Sequence, residues 1–182
     1  MKKIATQKNT SVSNKLERYN INSLTIRVYG VLMDDRKRIL VSDEYIRGNY
    51  FTKFPGGGLE FGEGTKECLK REFKEETGLD VMIGDHLYTT DYYQQSAFKT
   101  SQQIIAIYYF AKSIHPIKLD TKTIPFDFRP EQIADPNGQS EVLRWINWDD
   151  LSEETVNLPI DKIVVGLLKS KYSSYLEKRV SL

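Results

Sequence analysis

Residues 54–79 read FPGGGLEFGEGTKECLKREFKEETGL, and the rest of the chain is organised around this stretch. Its first half is rich in glycine, and its second half contains both charged and apolar residues. Thr65 is a residue type that caps helix N-termini, and Gly78 stands where a helix often ends on a left-handed residue. The stretch therefore predicts a helix from about Lys66 to Thr77.

The predicted helix places acidic and apolar side chains on the same side. At about 100° per residue, its apolar side consists of Cys68, Leu69 and Phe73. Lys70 and Lys74 lie on the opposite side, where an amphipathic surface helix would also place its acids. Three glutamates are instead predicted to face inward with the apolar residues, namely Glu72, Glu75 and Glu76.

Carboxylates clustered in this way need a positive partner. Side chains three or four residues apart on a helix have Cβ atoms about 5–6 Å apart. In a partly shielded cleft with an effective dielectric of about 20, each like-charge pair costs roughly 3 kcal/mol. Carboxylate oxygens without His or Cys are hard ligands, so the predicted cofactor is Mg²⁺, with Mn²⁺ as a substitute.

A glycine loop precedes the predicted helix and consists of Gly56, Gly57 and Gly58. Because glycine has no Cβ, the backbone of such a loop can come close to a ligand. Together with the carboxylates and Arg71, the loop indicates phosphate chemistry and a substrate-binding role for its glycines. A solvated helix of Glu and Lys after a glycine turn is the alternative interpretation.

These residues resemble the Nudix box. That motif is glycine, five residues, glutamate, seven residues, arginine–glutamate, an aliphatic or aromatic residue, one residue, two glutamates, one residue, glycine and an apolar residue. Every fixed position is filled, by Gly57, Glu63, Arg71, Glu72, Phe73, Glu75, Glu76, Gly78 and Leu79. A pattern with so many fixed residues at fixed spacing is specific, unlike a short glycine motif.

The resemblance implies both an activity and a set of roles. Nudix enzymes hydrolyse nucleoside diphosphates linked to another group, and they use a divalent metal. Arg71 is expected to be held by Glu63 and, with Glu75 and Glu76, to act in catalysis. The implied metal ligands are the carbonyl of Gly57 and the carboxylates of Glu72, Glu75 and Glu76.

The proton acceptor for the attacking water is less well defined. A carboxylate must take that proton, and Glu76 is one candidate because it belongs to the predicted metal cluster. Glu141 is a second candidate, since it begins a predicted strand where the family often supplies a further metal-binding or basic glutamate. Glu131 is the rival of Glu141, and either residue is alternatively a solvated loop acid.

Composition excludes several other classes of function. The chain has 182 residues, a formal charge of +1 and 40% hydrophobic residues, so it is long enough for one globular domain and has no field that favours nucleic acid or an anionic membrane. The single cysteine, Cys68, excludes an internal disulfide. No run approaches a membrane span, and the N-terminus lacks the apolar core of a signal peptide. A cytoplasmic protein that acts on a small nucleotide is expected.

The chain divides into a polar N-terminal arm, residues 1–22, and a single domain, residues 23–182. The arm is basic but lacks interleaved aromatics, which favours a solvated segment over a nucleic-acid arm. Residues 113–140 hold four of the six prolines and predict a loop-rich insertion that is either functional or an oligomer contact. Alternation and apolar runs predict strands at residues 23–33, 38–42, 79–93, 101–112 and 141–148.

Two further segments bear on the substrate and on assembly. Residues 43–53 are predicted to be a loop in which Arg47, Tyr45, Tyr50 and Phe51 either bind a base or sugar or are ordinary exposed loop residues. Residues 159–177 carry apolar residues at helical spacing, which predicts a closing helix that packs on the core or forms a homodimer contact. The predicted fold is α/β, a Nudix-like α/β/α sandwich with a mixed central sheet.

The substrate within the family stays open. The resemblance includes secondary marks downstream of the box, and the proline that marks ADP-ribose hydrolysis is absent between Leu79 and Lys112. Tyr92 and Tyr93 lie a few residues short of the tyrosine mark for dinucleoside polyphosphates. Nucleotide sugars and nucleoside triphosphates are both candidate substrates, and a catalytically silent nucleotide sensor and a structural metal-binding domain are alternatives in other functional classes.

Overall fold

The computed structural model describes residues 20–172, which form seven β-strands, two α-helices and two short 3₁₀ helices. The strands are β1 (Ser23–Leu32), β2 (Arg38–Ile46), β3 (Asn49–Lys53), β4 (Gly56–Gly58), β5 (Val81–Thr89), β6 (Gln102–Ser113) and β7 (Gln139–Asn147). The helices are α1 (Thr65–Thr77) and α2 (Pro159–Lys171), with 3₁₀ turns at Pro130–Gln132 and Glu153–Thr155.

The strands form two sheets. A mixed four-stranded sheet has the order β4-β1-β6-β5, in which β1 and β6 are parallel and the two outer strands are antiparallel to their neighbours. An antiparallel three-stranded sheet has the order β3-β2-β7. The predicted central strand at residues 101–112 is confirmed as β6, which pairs on both sides.

Side chains alternate along the strands between two apolar clusters. On β1, Val28 and Leu32 belong to the cluster that contains Leu69 and Phe73 of α1. Tyr29 and Val31 belong to the cluster that contains residues of α2, including Val164 and Leu168. Because successive strand residues point to opposite faces, one helix covers each face. The predicted α/β/α arrangement is confirmed, and the antiparallel sheet is an addition to it.

A buried carboxylate joins α2 to the mixed sheet. The hydroxyl of Tyr108 on β6 donates to Oδ1 of Asp161 at 2.6 Å, and both side chains are buried. Oδ2 of Asp161 is also buried and has no hydrogen-bond partner within residues 20–172. Burial raises the pKa of Asp161 to about 7, although the bond from Tyr108 opposes the shift. This carboxylate therefore makes stability depend on pH.

The box helix begins one residue earlier than predicted. Gly64, not Thr65, is the N-cap residue, and its N–H donates to the Glu67 carboxylate at 2.7 Å. Gly78 ends the helix with φ of 72°, which confirms the predicted left-handed residue. A glycine is needed at that position because other residues adopt this conformation at a cost.

The prediction of a loop at residues 43–53 was wrong. β2 continues to Ile46, and β3 returns antiparallel to it with Tyr45 opposite Tyr50. The two residues between the strands, Arg47 and Gly48, have φ of 48° and 80°, as a tight hairpin turn of this kind requires. The polar residues at the end of β2 suggest a loop in the sequence. In the structure they belong to a strand because their charges are paired inside the protein.

The remaining predicted elements correspond closely to the structure. The strand predicted at residues 79–93 is β5, and its pairing with β6 shifts register between Ile83 and His86. The closing helix is α2, which ends at Lys171, and the rest of its predicted length lies outside the described residues. The predicted N-terminal arm also lies outside them, except for its last residues. Neither α-helix of the described region is long and apolar enough to span a membrane.

Candidate active site

Three glutamates from three different elements meet at one point. Glu44 lies on β2, Glu76 on α1 and Glu141 on β7, and each offers one carboxylate oxygen within 4.8 Å of the other two. Glu44 and Glu141 are directly opposite each other across the β2–β7 pair. Because opposite residues of paired strands project from the same face, the sheet register brings these two carboxylates together. We call Glu44, Glu76 and Glu141 the acidic cluster.

A buried lysine lies inside the acidic cluster. Nζ of Lys53, at the end of β3, is 3.0 Å from Oε1 of Glu44 and 3.2 Å from Oε1 of Glu76. It also donates to the carbonyl oxygen of Gly56 at 2.9 Å. Its side chain is 4% exposed, yet the neighbouring carboxylates raise its pKa against the opposing effect of burial. Three carboxylates and one ammonium leave a formal charge of −2.

Two cluster members are held by further hydrogen bonds. Oε2 of Glu76 accepts from the N–H of Gly56 at 2.8 Å, which ties α1 to β4. Oε1 of Glu141 accepts from Oγ of Ser42 at 2.5 Å. Burial is the main cause that raises the pKa of both carboxyls, to about 7 for Glu76, while Lys53 opposes the rise. The repulsion between Glu76 and Glu141 adds to the shift of Glu76.

The acidic cluster fits a divalent cation. A hexacoordinate Mg²⁺ has ligand oxygens at about 2.0–2.1 Å, so its ligand atoms lie roughly 3–4 Å from one another. One oxygen of each cluster carboxylate lies within 4.8 Å of the other two, and an ion bound there would share Glu44 and Glu76 with the Lys53 ammonium. The donor set is all oxygen, with no His or Cys, which is the chemistry of Mg²⁺ and Mn²⁺ sites. The formal charge of −2 around Lys53 also matches a divalent ion.

A second network surrounds Arg71. Its guanidinium donates to Glu63 through Nε at 3.1 Å and Nη2 at 2.7 Å, so the expected pairing with Glu63 is present. Nη1 reaches Glu72 at 2.9 Å and Glu75 at 3.2 Å. The hydrogen bonds from Arg71 hold the pKa of Glu63 at about 2. Arg71 therefore fixes the position of the box glutamates that lie outside the acidic cluster.

The box glutamates are thus divided between two networks. Glu76 belongs to the acidic cluster, whereas Glu72 and Glu75 contact Arg71. The predicted inward orientation was wrong for Glu75, whose side chain is 60% exposed, because it lies at the flank of the helix's apolar side. Metal ligation by Glu72, Glu75 and the carbonyl of Gly57 stays a prediction.

The glycine loop forms strand β4, and its backbone lies close to neighbouring groups. A Cβ at Gly56, whose φ is 133°, would lie 2.2 Å from the carbonyl oxygen of Val28. A Cβ at Gly57 would lie 2.4 Å from the carboxylate of Glu72. Nothing lies within 4 Å of the corresponding position at Gly58, whose carbonyl accepts from Arg71 at 3.1 Å. The backbone of Val28 therefore requires a glycine at Gly56, whereas a Cβ at Gly57 would displace the carboxylate of Glu72.

The other predicted site residues lie in different places. Arg47 is exposed at the β2–β3 turn, where its N–H donates to the carbonyl of Gly138 at 3.0 Å. Glu131 is exposed on a 3₁₀ turn and does not belong to the acidic cluster, which contains its rival Glu141. Sequence reasoning missed Glu44 and Lys53. Extending β2 and β3 through the supposed loop would have paired the two strands that carry Glu44 and Lys53.

Comparisons with known proteins agree with this geometry. The family model described as NUDIX domain matches residues 23–165, so the chain belongs to the Nudix family. A curated relative, the 8-oxo-dGTP diphosphatase of Proteus vulgaris, is 35% identical over 54 residues. That match covers 29% of this chain and 48% of the relative, so the chain matches about half of the relative's length.

Solved structures show the same fold at low identity. A MutT NUDIX hydrolase from Burkholderia pseudomallei aligns with a TM-score of 0.58 and 17% identity, over 81% of this chain and 99% of that one. A NUDIX hydrolase from Nitrosomonas europaea aligns with a TM-score of 0.57 and 18% identity, over 80% and 88%. A UDP-X diphosphatase aligns with a TM-score of 0.56 and 18% identity, over 94% and 74%. These likenesses show the fold, and the match to the NUDIX domain model shows the family.

Proposed function

We propose that this protein uses a divalent cation to hydrolyse the pyrophosphate bond of a nucleoside diphosphate linked to another group. The observation that carries the proposal is the acidic cluster around Lys53, in a chain that belongs to the Nudix family. Mg²⁺ is the proposed cation, and Mn²⁺ its substitute, because the donors are carboxylate oxygens. The chemistry is proposed for one domain, residues 23–182, in a cytoplasmic protein.

The acidic cluster would hold the cation through Glu44, Glu76 and Glu141. A cation bound there supplies charge neutralisation at the pyrophosphate oxygens and a lowered pKa for water. Glu76 is the proposed acceptor of the water's proton and Glu141 the alternative, because both carboxylates line an open cleft beside β7. Lys53 keeps Glu44 and Glu76 in place by contacting both.

The Arg71 network is proposed to position the substrate's phosphates. Arg71 holds Glu72 beside the backbone of Gly57, and the face of Gly58 is open. Glu72, Glu75 and the carbonyl of Gly57 are the proposed ligands of a further metal ion that arrives with the substrate. In this role, the carboxylates of Glu72 and Glu75 would contact both Arg71 and the ion. Arg47 contributes to substrate binding only if the substrate reaches the hairpin turn.

The direct test is a substrate panel. Release of phosphate, after coupled phosphatase treatment, is measured with nucleoside triphosphates, nucleotide sugars, ADP-ribose and dinucleoside polyphosphates, in Mg²⁺ and in chelator. The proposal expects hydrolysis of at least one class that stops when chelator is added. Silence across the panel with nucleotide binding retained would replace the hydrolase with a nucleotide sensor.

A further inference from the structure

The segment between β6 and β7, residues 114–138, packs against the antiparallel sheet. The N–H of Lys122 donates to the carbonyl of Leu143 at 2.7 Å, and Lys122 forms a parallel bridge with Arg144 of β7. Farther along, the hydroxyl of Tyr45 reaches the carbonyl of Asp135 at 3.3 Å, and Oγ of Ser140 donates to the carbonyl of Gln132 at 2.6 Å. The segment is therefore attached to the sheet at both ends.

A buried ion pair attaches the middle of the segment. The N–H of Phe126 donates to Oδ2 of Asp43 at 3.2 Å. Asp43 is fully buried and accepts two bonds from Arg144, at 2.7 and 2.9 Å, and one from Thr52 at 2.6 Å. The ring of Phe126 also contacts Tyr50 in an edge arrangement, with centroids 5.4 Å apart. This attachment fixes the residues on either side of Phe126.

A cleft of about 280 Å³ lies between this segment and the acidic cluster. Its lining includes Glu76 and Glu141 of the acidic cluster together with Lys122 and Arg129 of the segment. The cleft volume is close to the lower end of small-molecule sites, about 300–1,000 Å³. By contrast, the cavity beside Arg27 and the aromatic residues of β1 and β6 has a volume of only about 40 Å³. A second cleft of about 280 Å³ also borders the acidic cluster, through Glu44 and Glu141, and its lining includes no Lys or Arg.

The two cations of the cleft are available to an anion. Arg129 is exposed and has no ion-pair partner within residues 20–172. Nζ of Lys122 lies 3.5 Å from Asp127, whose side chain is half exposed, so this pair is weak. One acid, Asp120, also lines the cleft. Among the lining residues that the segment contributes, the two cations exceed Asp120 by one charge, and the backbone that carries them is attached to the sheet.

We propose that Lys122 and Arg129 bind a phosphate group of the substrate beyond the bond that is cleaved, so that the enzyme selects nucleoside triphosphates over nucleotide sugars. This inference rests on the proposed function of the acidic cluster. In a triphosphate, the group next to a metal-bound phosphate is another anion, whereas in a nucleotide sugar it is a neutral ring. Charged hydrogen bonds from Lys and Arg discriminate between them, since a neutral sugar ring offers the two cations no anionic acceptor.

The test compares matched charge removals. The Lys122→Gln and Arg129→Gln variants, alone and combined, are assayed with dGTP and with UDP-glucose in Mg²⁺. The control is Lys118→Gln, which removes an exposed charge from the same segment outside the cleft. Each cleft variant is expected to raise KM for dGTP by about tenfold or more, since a hydrogen bond to a charged group contributes about 1.5–3 kcal/mol. The kcat for dGTP, all constants for UDP-glucose and the melting temperature are expected to stay near those of the control.

The outcomes separate the two proposals. A dGTP KM unchanged in the double variant, or an equal loss with UDP-glucose, overturns the role of Lys122 and Arg129 while the hydrolase stands. If the parent protein hydrolyses neither compound, calorimetric titration with an α,β-methylene analogue of dGTP measures the same discrimination as a Kd. An unchanged Kd in the double variant would then overturn this inference. Arg129→Lys is expected to retain more affinity than Arg129→Gln, because it keeps the charge.

Discussion

Replacing Lys53 with methionine should destabilise the metal-free protein strongly. The substitution removes the ammonium and keeps a side chain of similar length. Nζ contacts Glu44 at 3.0 Å, Glu76 at 3.2 Å and the carbonyl of Gly56 at 2.9 Å, and the side chain is buried. Without it, three carboxylates that share one point have no cation between them.

The expected loss follows from the burial of this ion pair. Removing one partner of a buried pair costs about 3–5 kcal/mol, because the other partner is left charged and desolvated. For a chain of this size each kcal/mol shifts the melting temperature by about 2–4 °C, so Lys53→Met should melt roughly 6–20 °C below the parent protein. The site charge changes from −2 to −3, so a divalent cation should stabilise Lys53→Met more than it stabilises the parent.

The assay is thermal unfolding by circular dichroism, in chelator and in excess Mg²⁺, at a pH above neutrality so that the carboxylates ionise. Lys74→Met is the matched control, because Lys74 forms an ion pair with Asp80 at 3.0 Å in which both side chains are about half exposed. Such a pair contributes about 0–1 kcal/mol. Equal melting temperatures for Lys53→Met and Lys74→Met in chelator would refute this account of the cluster. It would also be refuted if Mg²⁺ raised the melting temperature of Lys53→Met no more than that of the parent.

Three further changes test the packing around the site. Leu69→Ala, which truncates a fully buried side chain, should lower the free energy of unfolding by about 2–5 kcal/mol in denaturant titration, and an unchanged midpoint would mean that α1 faces elsewhere. Gly56→Ala should cost about 3 kcal/mol or more because of its clash and positive φ, whereas Gly58→Ala, with open space, should cost under about 1 kcal/mol; equal losses would contradict this difference. Asp161 has its folded-state pKa raised from 3.8 to about 7, so the folded state holds a proton that the unfolded state has released. The free energy of unfolding should therefore fall by on the order of 4 kcal/mol as pH rises between those values, and Asp161→Asn should remove this pH dependence. The same pH dependence of stability in Asp161→Asn and in the parent would contradict this role of Asp161.

Local signals predicted the box helix well. Its start was within one residue, its left-handed Gly78 was correct, and Leu69 and Phe73 are fully buried as the helical period required. These features depend on residues close in sequence, where capping, period and burial agree. The motif around them was sufficient to indicate the family.

The acidic cluster could not be predicted in the same way. Glu44 and Glu141 meet because β2 and β7 pair in one register across a long sequence separation. The sequence predicts a loop at Glu44, since Asp43 and Glu44 are charged residues of the kind usually found in solvent. Asp43 is buried only because Arg144 neutralises it, and that partner is supplied by the fold. Where the partners of charged residues are distant in sequence, neither the strand that carries these residues nor the site that they form can be predicted from local patterns.

The most direct test of the central claim is Mn²⁺ binding, measured by electron paramagnetic resonance of the free ion. We predict that the parent protein binds Mn²⁺ and that Glu44→Gln and Glu76→Gln each weaken binding by at least about tenfold. Glu60→Gln, which removes an exposed charge at a variable position of the box, should bind like the parent. Binding by Glu44→Gln equal to that of the parent would show that the metal site does not include the residue that the β2–β7 register places in the acidic cluster.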